Sequence, residues 1–328
     1  MRRSLCLILL LVMIVSLAGC GAPAETPTVA PTEEPTETIA ASSTIAPTKA
    51  PLIKEGMLTP GKAHVILMMG QSNMVGRAQI KYLEQTASAK ELAEYRAGYE
   101  NIQIYYHVDH QNSDPTNIAE NFVPVTLGQG STTVQFGPEV GLAEYLTKAF
   151  PGEKFYLIKC AWSGSGIANN YKKGDWLYTE VLRRTNIGIN KLKRTGLEPE
   201  LFAFCWMQGE TDAIVQEQAE DYLRAQTDLM NRWLPRYDSI ASPYGVAFID
   251  AGISEHWPFY QTVNDAKVQY QTQGPNRYYF DTIQAGLTTH LENNDTSHYD
   301  SQAKIKLGRL FGQCIEAFVT GFASENHK

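Results

Sequence analysis

The chain has 328 residues, 43% of them hydrophobic and 19% charged, which is an ordinary globular composition. Its formal charge is −7 and it carries no basic tract. That argues against nucleic-acid binding, which needs clustered Lys and Arg to neutralise phosphates. The five cysteines (Cys6, Cys20, Cys160, Cys205 and Cys314) have no close spacing, so neither a disulfide framework nor a zinc pattern follows.

In chain order, Arg2 and Arg3 come first, then an apolar segment from Leu5 to Leu17, then Ala18-Gly19-Cys20. A basic start, a short apolar core and small residues at a cut make a secretory signal. Cys20 directly after Leu17-Ala18-Gly19 resembles the bacterial lipobox, in which this thiol is lipidated and becomes the new N-terminus. A plain signal peptide or a membrane-spanning anchor is the alternative, although the segment is short for a span. Residues 21–58 are rich in Pro, Thr, Ala and Glu and lack a periodic apolar pattern. Such a stretch cannot bury enough surface to order itself and reads as an extended spacer. The expected organisation is a leader (1–20), a linker (21–58) and one catalytic domain (59–323).

Within that domain strand and helix patterns alternate. Expected strands are His64–Met69, Ile102–Val108, Lys154–Ala161, Phe202–Met207 and Tyr244–Ile249. Expected helices are Pro138–Ala149, Trp176–Arg194, Ile214–Trp233, Val263–Gln273 and Ser301–Phe318. Alternation of this kind predicts an α/β fold, a three-layer α/β/α sandwich with a central, mostly parallel five-stranded sheet. Cys160 and Cys205 fall inside strand-like runs, as small buried hydrophobes do. Residues 105–130 carry few helix signals and read as an insertion near the site.

The motifs with chemical content sit at the ends of these strands. Gly70-Gln71-Ser72-Asn73-Met74 follows the apolar run Val65–Met69. The carboxyl ends of parallel strands are where open α/β sheets build their ligand crevices. A serine there is a candidate nucleophile, and N–H groups of the following turn favour an oxyanion; the bland alternative is a helix cap. Asp295-Thr296-Ser297-His298 precedes the last helix. There His298 can act as general base, oriented by Asp295. Two further strand ends carry Ala161-Trp162-Ser163-Gly164 and Trp206-Met207-Gln208-Gly209-Glu210-Thr211-Asp212. Gly164 can donate its N–H and the Gln208 amide can donate to an oxyanion.

These residues resemble the SGNH hydrolase superfamily, and within it the sialate O-acetylesterase-like branch that includes the family 6 carbohydrate esterases, the acetylxylan esterases. The matching stretches are Gly70–Met74, Phe136-Gly137-Pro138-Glu139, Lys159–Gly164, Trp206–Asp212 and Asp295–His298. The resemblance implies a serine esterase that removes O-acetyl groups from carbohydrates with no cofactor or metal. Carried over, it gives Ser72, Asp295 and His298 as the triad. It also gives an oxyanion hole from the Ser72 N–H, the Gly164 N–H and the Gln208 side chain, with Gln71, Asn73 and Glu210 in support. Gly-Gln-Ser in place of Gly-Asp-Ser, and Gln208 in place of the usual Asn, fit that branch. Glu210 and Asp212 are expected to brace the Gln208 loop. With the leader, the implied enzyme is lipid-anchored on the outer face of a bacterial membrane, or secreted.

Other clusters have plainer readings. His107-Val108-Asp109-His110 has loose metal-ligand spacing, but no third cluster completes it. Tyr105, Tyr106, His107 and Trp162 could stack on sugar rings or simply pack in the interior, and His256 beside Trp257 reads as a surface or packing residue. Esterase activity on a lipid or thioester, and a catalytically inactive carbohydrate-binding surface protein, are the alternative functions.

Overall fold

The computed structural model describes Leu58, residues 61–109 and residues 117–325, with side chains through residue 321. The expected leader, Cys20, the 21–58 linker apart from Leu58, and His110 lie outside the described residues. Among the described residues no helix is long and apolar enough to cross a membrane.

Among the described residues nine strands form in chain order: β1 (Lys62–Gly70), β2 (Ala78–Gln79), β3 (Tyr99–Val108), β4 (Val123–Val125), β5 (Gln135–Phe136), β6 (Phe155–Ala161), β7 (Glu198–Met207), β8 (Ala247–Ala251) and β9 (Arg277–Phe280). The helices are α1 (Ser72–Val75), α2 (Ile80–Thr86), α3 (Ala89–Ala97), α4 (Glu139–Ala149), α5 (Ile167–Asn170), α6 (Trp176–Arg194), α7 (Gln216–Glu220), α8 (Tyr222–Trp233), α9 (Tyr260–Gln271) and α10 (Ser301–Glu325). Seven strands make one sheet in the order β4-β3-β6-β1-β7-β8-β9, and β2 pairs with β5 separately. Every neighbouring pair in the large sheet is parallel except β3 with β4.

The architecture is the expected mostly parallel sheet flanked by helices, with seven strands in place of five. The five expected strands are all present, and β4 and β9 extend the sheet at its two edges. Both lack the signals of a central strand. β4 is three residues with a proline in the middle, tolerable only at an edge. β9 is four half-buried residues. The helical pattern expected over Ile214–Trp233 is broken: a 3-10 turn (Asp212–Ile214) precedes the short α7, and α8 follows.

β1 occupies the middle of the sheet because eight of its nine residues are buried on both faces. From β1 the chain passes to β3, two places away, returns to fill the gap with β6, and then crosses β1 to lay down β7, β8 and β9 on the other side, so the direction of building reverses next to β1. A crevice at the carboxyl end of the sheet is the consequence of such a reversal. Gly70 ends β1 at φ +143°, and a Cβ there would sit 1.9 Å from the Met207 carbonyl oxygen, so only glycine lets the two strand ends close together. Helices α4 and α10 pack on one face of the sheet and α6 and α8 on the other. The α4–α10 contact is backbone on backbone: a Cβ at Gly141 would lie 1.9 Å from the Ile305 carbonyl, and one at Gly308 2.0 Å from that of Pro138.

Candidate active site

Ser72 is the first residue of α1, two residues beyond β1, and is 6% exposed. Gln71, before it, is anchored twice. Its N–H donates to the Met207 carbonyl (2.9 Å), and its side-chain oxygen accepts from the Thr211 N–H (3.2 Å) and the Gln208 amide (3.4 Å). The end of β1 is thereby fastened to the loop after β7.

Asp295 and His298 face each other across one turn of loop. His298 Nδ1 lies 2.7 Å from Asp295 Oδ2, while Asp295 Oδ1 accepts from the Ser297 N–H (3.0 Å) and the His298 N–H (3.2 Å). Burial pushes the Asp295 carboxyl up, but the imidazole and the two N–H donors outweigh it and hold the group below its ordinary value. The loop is also clipped at its base. The Asp300 carboxylate accepts from the N–H groups of Leu291 (3.3 Å) and Glu292 (3.1 Å). The Glu292 carboxylate in turn takes the Ser301 N–H (3.0 Å) and hydroxyl. Asn293 and Asn294 turn the chain between these clips at φ 56° and 52°, a left-handed conformation that asparagine tolerates.

Asn73 joins the two parts. Its side-chain oxygen accepts from the Tyr299 N–H (3.1 Å) and Lys304 Nζ (2.7 Å); its amino group donates to Glu210 Oε1 (2.8 Å) and the Ser297 carbonyl (3.3 Å). Ser297 and Tyr299 flank His298, so the residue beside Ser72 grips the backbone on both sides of the imidazole. All four positions an amide can use are filled. No hydrogen bond links Ser72 Oγ to His298 among the described residues, a looseness common in sites without substrate. Lys304 is fully buried, and burial lowers its ammonium to about 7, against the pull of Glu210 and Glu139. Burial likewise raises the Glu210 carboxyl, although Asn73 and two lysines oppose the shift.

The Gln208 loop is tightly satisfied. The Gln208 amide donates to Asp212 Oδ2 (2.6 Å) and the Ser165 carbonyl (3.0 Å), and its oxygen accepts from the Tyr222 hydroxyl (2.9 Å). Gln208 is fully buried, so the oxyanion donation expected of it would require one of these bonds to open. Asp212 also caps α5, accepting from the N–H groups of Ile167 and Ala168 (3.0 Å each). It braces Gln208 as expected, whereas Glu210 bonds Asn73 and so supports the Ser72 segment instead. Gly164 is exposed at φ +65°, with open space where a Cβ would be.

A crevice of about 220 Å³ opens at His298, lined also by Arg77, Gln79, Tyr82, Gln135, Asn293 and Asp295. The sequence assigned nothing to Arg77. It donates to Ser163 Oγ from Nη2 (2.8 Å) and Nε (3.2 Å), and Ser163 Oγ in turn donates to Asp109 Oδ1 (3.1 Å). Asp109 is therefore tied to the crevice wall. His256, read as a surface or packing residue, is exposed and contacts the Thr296 hydroxyl (3.4 Å) on the Asp295–His298 loop. Beneath Arg77, the wholly buried pair Lys159–Glu139 (2.7 Å) fastens the Gln129 carbonyl (2.9 Å) and the Gly137 N–H (2.8 Å).

The family model for carbohydrate esterases described as sialic acid-specific acetylesterases matches residues 62–316, well over half of the chain. The chain belongs to this family. It is accordingly a carbohydrate esterase. No curated protein matches it in sequence. Among solved structures, an Arabidopsis thaliana protein is similar at 19% identity and TM-score 0.57, covering 77% of this chain and 98% of its own. NanS is similar at 16% identity and TM-score 0.57, with coverages of 81% and 99%. A carbohydrate acetylesterase from Xanthomonas citri, at 16% identity and TM-score 0.51, covers 79% of this chain, which spans 57% of that protein. At these identities the likeness is one of fold. The mostly parallel sheet flanked by helices, expected from the alternation of strand and helix patterns, is the fold these structures share.

Proposed function

We propose that the chain is a serine O-acetylesterase acting on acetylated carbohydrates through an acetyl-enzyme. Ser72 Oγ attacks the acetyl carbonyl carbon while His298 Nε2 takes its proton. Asp295 holds the opposite ring nitrogen and favours the imidazolium. The tetrahedral oxyanion collapses, the sugar C–O bond breaks, and His298 returns the proton to the leaving alcohol. Water then attacks the acetyl-enzyme with His298 again as base, releasing acetate and regenerating Ser72. The N–H groups of Ser72 and Gly164 stabilise the oxyanion, and Gln208 contributes if substrate frees its amide. The observation that carries this reading is the Asn73 grip, which brings the 2.7 Å His298–Asp295 pair up to the residue next to Ser72. Arg2, Arg3 and the Leu17–Cys20 motif support a lipid anchor on Cys20 and an extracellular location, with 21–58 as spacer and 59–323 as catalytic domain.

The test is acetate release across a panel of acetylated glycans by wild type and Ser72→Ala, with fluorophosphonate labelling of both. Ser72→Ala should lose turnover by about 10⁴ or more and fail to label, while melting as wild type does. Near-wild-type hydrolysis of an aryl acetate by this variant would overturn the nucleophile.

A further inference from the structure

Seven large hydrophobic side chains among the described residues are substantially exposed, and only one is aromatic: Trp176, 64% exposed as the first residue of α6. An exposed tryptophan forgoes a large burial gain, since such a ring can cover about 150–250 Å². This one is mounted with care. Trp162 abuts it edge to face, with ring centroids 5.3 Å apart and planes at 83°. Trp162 in turn leans on His107 (ring centroids 5.5 Å apart), and the Trp162 backbone N–H donates to the Gly70 carbonyl (3.1 Å). Gly70 is two residues from Ser72. The residues after Trp162 are Ser163, bonded to Arg77 on the crevice wall, and the open Gly164. A rigid path of contacts thus leads from the strand end beside Ser72 to one outward aromatic ring.

We propose that Trp176, backed by Trp162, is a stacking platform for a sugar ring of the same glycan chain that carries the scissile acetyl. This rests on the O-acetylesterase reading and deepens it, because it makes the substrate an oligomer or polymer. The C–H face of a pyranose carries slight positive charge and matches the negative face of an indole. The surroundings fit that occupant better than a protein or a bilayer. Trp176 is the one aromatic ring among the substantially exposed hydrophobics of the described residues, and one ring is far short of the contiguous patch either would need. Its neighbours Lys172 and Lys173 are exposed polar groups suited to hydroxyls.

Trp176→Ala and Trp176→Phe test this against wild type on three substrates: a partially acetylated xylohexaose, an acetylated xylose monosaccharide and 4-nitrophenyl acetate. The platform predicts that Trp176→Ala raises KM for the hexaose about 10-fold. Its kcat, its melting temperature and both small substrates should stay near wild type, and Trp176→Phe should recover most of the loss. Equal KM values for wild type and Trp176→Ala on the hexaose overturn the platform alone. Wild-type cleavage of the monosaccharide with none of the hexaose does the same. Wild type that cleaves 4-nitrophenyl acetate but neither sugar overturns the platform alone, whereas activity on none of the three substrates overturns the esterase reading and the platform with it.

Discussion

Replacing Asn73 with alanine separates the support of the imidazole from the chemistry itself. The change deletes four hydrogen bonds of 2.7–3.3 Å, two of them to the buried charged groups Lys304 and Glu210. Lys304 keeps the Asn73 backbone carbonyl (2.9 Å), but Glu210 loses its Asn73 partner while its other oxygen already has none. Stripping a buried charge of its partner costs about 3–5 kcal/mol, and that is the expected loss of folding stability. For catalysis, the backbone on either side of His298 is released. A shift of about 1 Å in a reacting group costs about 10²-fold, so kcat should fall by that factor with KM little changed. The assay is turnover of an aryl acetate well below the melting temperature, divided by the sites that label with fluorophosphonate, so that unfolded protein is not counted. Asn73→Asp keeps both acceptor bonds but sets a carboxylate against Glu210. Adding Glu210→Gln restores a donor and should recover part of kcat. Turnover per labelled site equal to wild type in Asn73→Ala would refute the clamp and leave Asn73 a role in stability only.

Asp295→Asn should lower kcat by up to about 10⁴ without unfolding the chain, because the amide cannot hold the Nδ1–H tautomer; kcat within tenfold of wild type on an aryl acetate would contradict the orienting role. Lys304→Met keeps the volume of the side chain but removes one of two donors to the Asn73 oxygen, and kcat should drop about 10-fold from a loosened loop; an unchanged kcat alongside a changed melting temperature would make Lys304 purely structural. His64 is buried in β1, and burial lowers its imidazole to about 4. An unfolded chain takes up this proton near pH 6.5 and the folded one near pH 4, so stability is intact above about pH 6.5 and declines as the pH falls toward 4, by up to about 3 kcal/mol. Urea melts of His64→Leu at pH 4.5 and 7 should show a smaller pH effect than wild type, and an identical slope would assign the acid sensitivity elsewhere.

The central strands and the motif at each strand end were legible because parallel strands are short apolar runs that stop at glycine. β4 and β9 were not, since edge strands need neither continuous apolar character nor alternation. Residue types with known chemistry pointed to Ser72, Asp295 and His298 as candidates. Nothing local pointed to Arg77 or Asp109, whose meeting depends on Ser163, 54 residues beyond Asp109. Lys304 left a trace that goes unread in isolation: it falls on the buried stripe of α10 with Gly308, Phe311 and Ile315, where helical periodicity calls for an apolar residue. The pairing of Glu210 with Asn73 instead of Gln208 was invisible because both partners lie within bonding range of either motif only after folding.

The grip on Asn73 joins segments made far apart in the order of synthesis. The segment that begins at β1 is made well before Tyr299 and Lys304, which fasten it and belong to the loop ahead of α10 and to α10 itself. A ribosome therefore releases the serine long before the residues that frame it. A chain stalled or clipped ahead of α10 would keep Ser72 but lack the Lys304 donor to its neighbour Asn73, so the segment around the serine would gain its full set of partners only once α10 has been made.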